Sequence, residues 1–338
     1  MFNILDFRSK ELPTEAEIEH CWPEFDEPYL SIVCTTYNHA GYIEDAIRGF
    51  LLQKTDFPFE IIIHNDASTD NSLEIINAYA QEYPNIITVV SQNVNQYSLG
   101  VKMIPTAVSY SQGKFVALCE GDDFWVDPEK LQTQVRNMER YPSCEISFHP
   151  AIALYPDGKT DKVANHTEKL SIIQAEKIIS ADGAFCPTPT LIIKREIFDK
   201  LPRWFYDTAP VGDYYLQIFG SLKGGALFLP ENMSVYRVLS AGSWSESLRN
   251  MNEVDRVTFF DRNIECLTAL GHTIDEKFSK SILQSMSLKA LSLSFFLLKK
   301  GSYLKLIKYV VISLTYSKGT LFKVAFKRTK KAIKSRLF

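Results

Sequence analysis

Cysteine is sparse in this chain of 338 residues, and Cys21, Cys34, Cys119, Cys144, Cys186 and Cys266 contain no Cys-x-x-Cys pair. That spacing fits neither a zinc ribbon nor a compact disulfide framework, so a reducing compartment is expected. The six histidines form no His-x-x-x-His pair, which argues against a zinc site of that type. No apolar run approaches the about 20 residues of a membrane-spanning helix. Ala290 to Leu298 and Tyr309 to Ser317 come nearest, but Lys299, Lys300, Lys305, Lys308 and Lys318 interrupt them. The amino terminus turns acidic where a secretory signal would need an apolar segment, so Asn165-His166-Thr167 is read as a chance glycosylation triplet. With 15 Gly and 15 Pro, no repeat and no low-complexity linker, collagen-like and disordered chains are excluded.

Negative charge is missing from one region. Ser281 to Phe338 holds 13 Lys/Arg and no Asp or Glu. Of the 37 basic and 40 acidic residues, the first 280 positions therefore keep 24 and 40, so a net of −16 precedes a tail of +13. Such asymmetry points to a tail that meets an anionic surface, membrane or nucleic acid.

What is present is alternation. Tyr29 to Thr36, Phe59 to His64, Ile86 to Ser91 and Phe115 to Cys119 read as short buried strands. Ile43, Ala46, Ile47, Phe50 and Leu51 fall on one face of a helix between the first two. A second helix runs through Tyr83 and a short one lies within 101–112, so a largely parallel sheet covered on both faces is expected. Further on, 130–141 reads as helix, 145–154 as one strand, 182–195 as a proline-punctuated loop entering a strand, and 212–222 as helix. One or two strands fall within 225–239, and only helices beyond about 250. Ligands of such sheets bind at the carboxyl ends of the strands, where the polar clusters 35–39, 65–71 and 120–123 all lie.

Glu120-Gly121-Asp122-Asp123 places three carboxylates within four residues at a strand end. They repel one another unless a cation shares the site, and hard oxygen donors suit Mg2+ or Mn2+. An exposed acidic turn capping a helix near Pro128 would show the same letters.

Five segments together resemble the family 2 glycosyltransferases, nucleotide-sugar-dependent enzymes of the GT-A fold. They are Ser31 to Asn38 (SIVCTTYN), Ile63 to Asp70 (IHNDASTD), Glu120 to Trp125 (EGDDFW), Gly212 to Leu216 (GDYYL) and Val235 to Trp244 (VYRVLSAGSW). The resemblance covers about 29–245. It implies that Thr35 and Tyr37 line the nucleotide base pocket and that Asp66 accepts from the base edge. It implies a metal ligand at Asp122 or Asp123. Glu120 stands where the family usually has Asp, and is expected to touch ribose or a water rather than the metal. Asp213 is implied as catalytic base, although Gly212 replaces the family's acidic neighbour. Arg237 is implied to pair with the diphosphate, and Leu239 stands where relatives often carry His.

The organisation expected is a lead-in at 1–28, a GT-A domain at 29–245 with a nucleotide-binding half (29–125) and an acceptor half (126–245), and a helical, basic region at 246–338. The function expected is inverting transfer of a sugar from a nucleotide-diphosphate donor, a UDP-sugar by family frequency, to a hydroxyl of a glycan or glycolipid in surface polysaccharide biosynthesis, with Mn2+ or Mg2+ as cofactor. A sugar-nucleotide nucleotidyltransferase would need a Gly-rich basic loop after the first strand, which Thr35 to Gly41 does not supply. A non-catalytic sugar- or membrane-binding relative is the other alternative. The tail is expected to lie on an anionic membrane, placing the protein in the cytoplasm at the inner face of the cell membrane, with no nucleic acid partner.

Overall fold

The computed structural model of the chain describes residues 2–23, 27–240, 242–317 and 319. Lys318 and the tail beyond 319, where Phe322 and Phe326 fall, lie outside the described residues. Two compact units divide the chain: Met1–Ala175, Gly183–Leu201 and Gly212–Arg249 form the first, and Glu176–Asp182, Pro202–Val211 and Asn250–Phe338 form the second.

The strands are β1 (Leu30–Thr36), β2 (Phe59–Asn65), β3 (Ile87–Ser91), β4 (Phe115–Glu120), β5 (Phe124–Trp125), β6 (Ile146–Phe148), β7 (Ala151–Leu154), β8 (Thr160–Val163), β9 (Ser171–Ile173), β10 (Ile192–Lys194), β11 (Ala226–Phe228) and β12 (Ser234–Arg237). The helices are α1 (Ile4–Arg8), α2 (Glu15–Glu19), α3 (Ile43–Leu51), α4 (Ser72–Glu82), α5 (Met103–Val108), α6 (Lys130–Arg140), α7 (Ala175–Ile179), α8 (Arg203–Asp207), α9 (Gly212–Ser221), α10 (Trp244–Asn250), α11 (Glu253–Thr273), α12 (Ser279–Lys299) and α13 (Tyr303–Tyr316).

In the first unit, β3-β2-β1-β4-β10-β6-β11-β9 make one sheet and β5-β12-β7-β8 a second. β1, β2, β3 and β4 are parallel, while β10 runs antiparallel to both β4 and β6. The parallel strands are apolar because both faces are covered: Leu30, Ile32, Cys34, Ile61, Ile63, Phe115 and Ala117 share one core with Ile43, Ile47 and Phe50 of α3. Helix α3 also crosses β5 closely, since a Cβ on Gly49 would lie 2.7 Å from the Trp125 carbonyl oxygen. The Phe50 and Trp125 rings meet edge-on beside it, 4.8 Å apart.

The stretch 145–154, expected as one strand, splits at His149-Pro150 into β6 and β7, which belong to different sheets. The chain before β1 is helical: α2 is closed by a capping box between Thr14 and Glu17, and α1 sets Phe7 4.9 Å from the Phe124 ring.

The second unit is helical. Phe260 of α11, Ala290, Leu293 and Leu297 of α12, and Tyr309 of α13 form its apolar cluster. No run was expected to be long enough to span a membrane, yet 276–299 is long and apolar enough to cross one by length and composition, with mean hydropathy 1.4. More than half of that window, 56%, is buried, as in a core helix.

Candidate active site

The carboxyl ends of β1, β2 and β4 stand side by side, and the loops after them are laced together. Asn38 adopts a left-handed backbone, φ 56°, and its Oδ1 accepts from the Thr69 N–H at 2.7 Å. The Asn38, His39 and Ala40 N–H groups donate to Ser68 Oγ, Ser72 Oγ and Asp70 Oδ2 at 2.9, 2.8 and 2.9 Å. The polar residues of Thr35 to Gly41 and Asn65 to Asn71 thus hold the two loops in one shape. Gly121 completes the packing, because a Cβ there would lie 2.8 Å from Thr36 Oγ1 and 2.9 Å from His39 Nδ1.

Glu120, Asp122 and Asp123 offer carboxylate oxygens that all lie within 4.8 Å of one another. Asp122 Oδ2 accepts from Ser240 Oγ at 2.6 Å, and Asp123 Oδ1 accepts from the Arg237 N–H at 2.7 Å. Asp123 Oδ2 is buried with no hydrogen-bond partner. Burial pushes the Glu120 carboxyl up to about 8, and the Asp122 and Asp213 charges push the same way against a Thr188 hydrogen bond. Asp123 is raised by burial and then by Asp122 and Glu120. An all-oxygen donor set with an unpartnered acceptor and mutual repulsion fits a hard divalent cation, Mg2+ or Mn2+. Glu120 stands inside this group, with Asp122 and Asp123 and not apart from them.

Asp213 opens α9, with Oδ1 accepting from the Tyr214 N–H at 2.8 Å. Its carboxylate rests against Gly183, where a Cβ would lie 3.0 Å from Oδ2. The fold brings Asp213 near enough for its charge to act on Glu120, although 93 residues separate the two in sequence. Gln217 of the same helix ties down the facing loop, its Nε2 donating to the Gly183 and Cys186 carbonyls at 2.9 Å each. The Pro189 carbonyl accepts from Trp125 Nε1 and Ser234 Oγ, both at 2.8 Å, which fixes the proline-rich turn that carries Thr188.

Asp66 is buried, and its two oxygens accept from the Gln96 and Tyr97 N–H groups at 2.7 and 3.0 Å. It therefore anchors the loop after β3, and each carboxylate oxygen keeps capacity to accept a further hydrogen bond. Thr35 is half-buried in register with Glu120, while Tyr37 is exposed.

Arg237 differs most from expectation. Its guanidinium is buried, ion-paired with Asp45 of α3, and donates from Nη1 to the Asp122 carbonyl at 2.7 Å. It lies 4.5 Å from the Phe124 centroid and 5.1 Å from that of Tyr42. Arg8 of α1 grips the same Asp45 with both of its oxygens, each contact at 2.7 Å. The fork expected on a diphosphate is thus directed at Asp45, and Arg237 braces the acidic turn by its backbone and side chain.

Sequence reasoning did not single out several groups found here. Tyr236 is raised by burial and by the charges of Asp123, Glu120, Asp122 and Asp213. Tyr97, on the loop that Asp66 anchors, is largely exposed, yet partial desolvation and the Glu120 charge both raise its phenol. Ser240 and Thr188, hydroxyls on carboxylates, carry no sequence signal of their own.

The family model for glycosyl transferase family 2 matches residues 31–201. An uncharacterised protein of Mycobacterium tuberculosis is 35% identical over 217 residues, 64% of this chain and 60% of that protein. The chain thus spans about three fifths of the length of the relatives it matches. Among solved structures, Staphylococcus aureus TarS 1–349 in complex with UDP-GlcNAc superposes with TM-score 0.61 at 17% identity, over 78% of this chain and 72% of that one. The mannosyltransferase PcManGT from Pyrobaculum calidifontis, in complex with GDP-Man and Mn2+, gives TM-score 0.56 at 15% identity, over 97% and 85%. The mostly parallel sheet, the acidic turn after β4 and a family match over half the sequence converge: the chain belongs to glycosyl transferase family 2 and has its GT-A fold.

Proposed function

We propose that the chain is a metal-dependent inverting glycosyltransferase, taking a sugar from a UDP-sugar to a hydroxyl of a glycan or glycolipid. The observation that carries this reading is the Glu120, Asp122 and Asp123 cluster, together with Asp213, a carboxylate from a different element whose charge acts on Glu120.

Asp122 and Asp123 would hold the cation, with Glu120 beside them. When bound, Mg2+ or Mn2+ supplies counter-charge for the diphosphate leaving group. Asp66, Thr35 and Tyr37 would face the base, with Tyr97 closing that side from the loop that Asp66 anchors. Asp213 would accept the acceptor hydroxyl proton while that oxygen bonds to the anomeric carbon. The bond from that carbon to the diphosphate oxygen breaks in the same step, so the configuration inverts and no protein nucleophile is used. The TarS complex with UDP-GlcNAc supports the uracil assignment, and the PcManGT complex with Mn2+ supports the metal.

The test is a panel of UDP-, GDP- and dTDP-sugars with glycan and glycolipid acceptor extracts and Mn2+. Release of nucleoside diphosphate is expected with a UDP-sugar. No release from any donor above that of an Asp122→Ala, Asp213→Ala control overturns the reading.

A further inference from the structure

We infer that the outward face of α13 is a docking surface for an anionic phospholipid bilayer. The helix is held in one orientation by its inner side. Tyr309 is buried edge-on to Phe260 with ring centroids 5.1 Å apart, and Ser313 Oγ meets Ser287 Oγ at 2.8 Å. Glu253 of α11 accepts from Ser302 Oγ at 2.6 Å and pairs with Lys305. The opposite side then presents Leu304, Ile307 and Val311 at i, i+3 and i+7, which are 87%, 57% and 53% exposed, beside Tyr303 at 64%. Three aliphatic side chains aligned along one helix face into solvent form a continuous apolar ridge rather than scattered surface residues.

Charge selects the occupant. Lys308 follows Ile307 on the helix and Lys300 stands three residues before its start, both exposed, while Lys305 is paired with Glu253; the chain from 281 onward holds 13 Lys/Arg with no acid. Eight of these fall in 318–338, directly after the helix in sequence. A second copy of the chain would set this basic rim against itself. A nucleic acid partner would favour lysines on the ridge, where the aliphatic side chains stand instead. An apolar ridge with a basic margin matches the boundary between acyl chains and anionic headgroups, where insertion and electrostatic attraction add.

The experiment is flotation of the purified chain with vesicles of phosphatidylcholine alone and of an equimolar mixture with phosphatidylglycerol. Binding to the mixed vesicles is expected, weakened by salt. A Leu304→Ser, Ile307→Ser, Val311→Ser variant is expected to partition about tenfold less or weaker, and a Lys300→Gln, Lys308→Gln variant to weaken mainly the anionic component. All of these positions are exposed, so circular dichroism and donor turnover in solution should match the wild type; that turnover reads the proposed activity separately from membrane binding. The inference is overturned if the triple variant floats as well as the wild type, or if neutral and anionic vesicles bind equally. It is also overturned if the wild type is a dimer that the triple variant dissolves, which would make a second copy the occupant, or if RNA competes the chain off the vesicles through the ridge residues.

Discussion

Asp213→Asn is expected to lower kcat by about 10²–10⁴-fold, the range for loss of a positioned general base, with the donor KM nearly unchanged. The amide keeps the shape and still accepts from the Tyr214 N–H, the contact that seats the carboxylate at the start of α9 at 2.8 Å. What it loses is the ability to take a proton. The local contact with Tyr214 is a cap-like interaction worth about 1 kcal/mol, and the amide retains it, so the melting temperature should hardly move. Steady-state kinetics with donor and acceptor varied separately, together with thermal unfolding, check both halves. A variant within a few-fold of wild-type kcat would remove Asp213 from the base role. A variant that loses donor affinity instead would move it to the donor side.

Asp122→Asn and Asp123→Asn are each expected to cost about 10³-fold or more in kcat/KM, because losing the held cation forfeits several kcal/mol of charge stabilisation on the leaving group. Asp123→Asn carries a second, opposite expectation. Its carboxyl is pushed up by burial and then by Asp122 and Glu120, so an ionised carboxylate there is unfavourable in the metal-free protein. The amide removes that charge while its oxygen still accepts from the Arg237 N–H. Without metal the variant should therefore melt higher than the wild type, a trade of stability for function. Mn2+ should raise the melting temperature of the wild type by mass action and leave both variants unmoved. Scanning calorimetry with and without Mn2+ reads this directly. Activity unaffected by chelator, or equal Mn2+ stabilisation of the variants, would contradict the metal assignment.

The elements legible in the sequence were those whose pattern has a single cause. β1, β2 and β4 are buried on both faces, so their residues must be apolar throughout, and the acidic turn after β4 interrupts such a run abruptly. Elements with mixed causes were not legible. The 145–154 run is apolar in both β6 and β7, and only the tertiary fold reveals that His149-Pro150 hands the chain from one sheet to the other. β8 is short and exposed, with Thr160 to Val163 carrying no apolar alternation. β10 reads as an ordinary buried strand, and nothing in Ile192–Lys194 announces that it runs against its neighbours.

In the site, carboxylates clustered in sequence, as at 120–123, declared themselves. Arg237 did not, because its partner Asp45 lies 192 residues away on a helix whose apolar face dominates its pattern. An arginine that would meet a diphosphate and an arginine bracing an acidic turn look the same in sequence until the partner is seen. Tyr97 was missed for a related reason: its loop is held by Asp66 through backbone N–H groups, which leave no mark on side-chain identity.

The most direct test of the account is the anomeric configuration of the transferred sugar, read by proton NMR during the first turnovers of the purified chain with its preferred nucleotide-sugar and Mn2+. A single displacement with Asp213 as base predicts a product opposite in configuration to the donor. A product of the same configuration would contradict the account, because it requires either a second displacement or attack on the face the leaving group occupies.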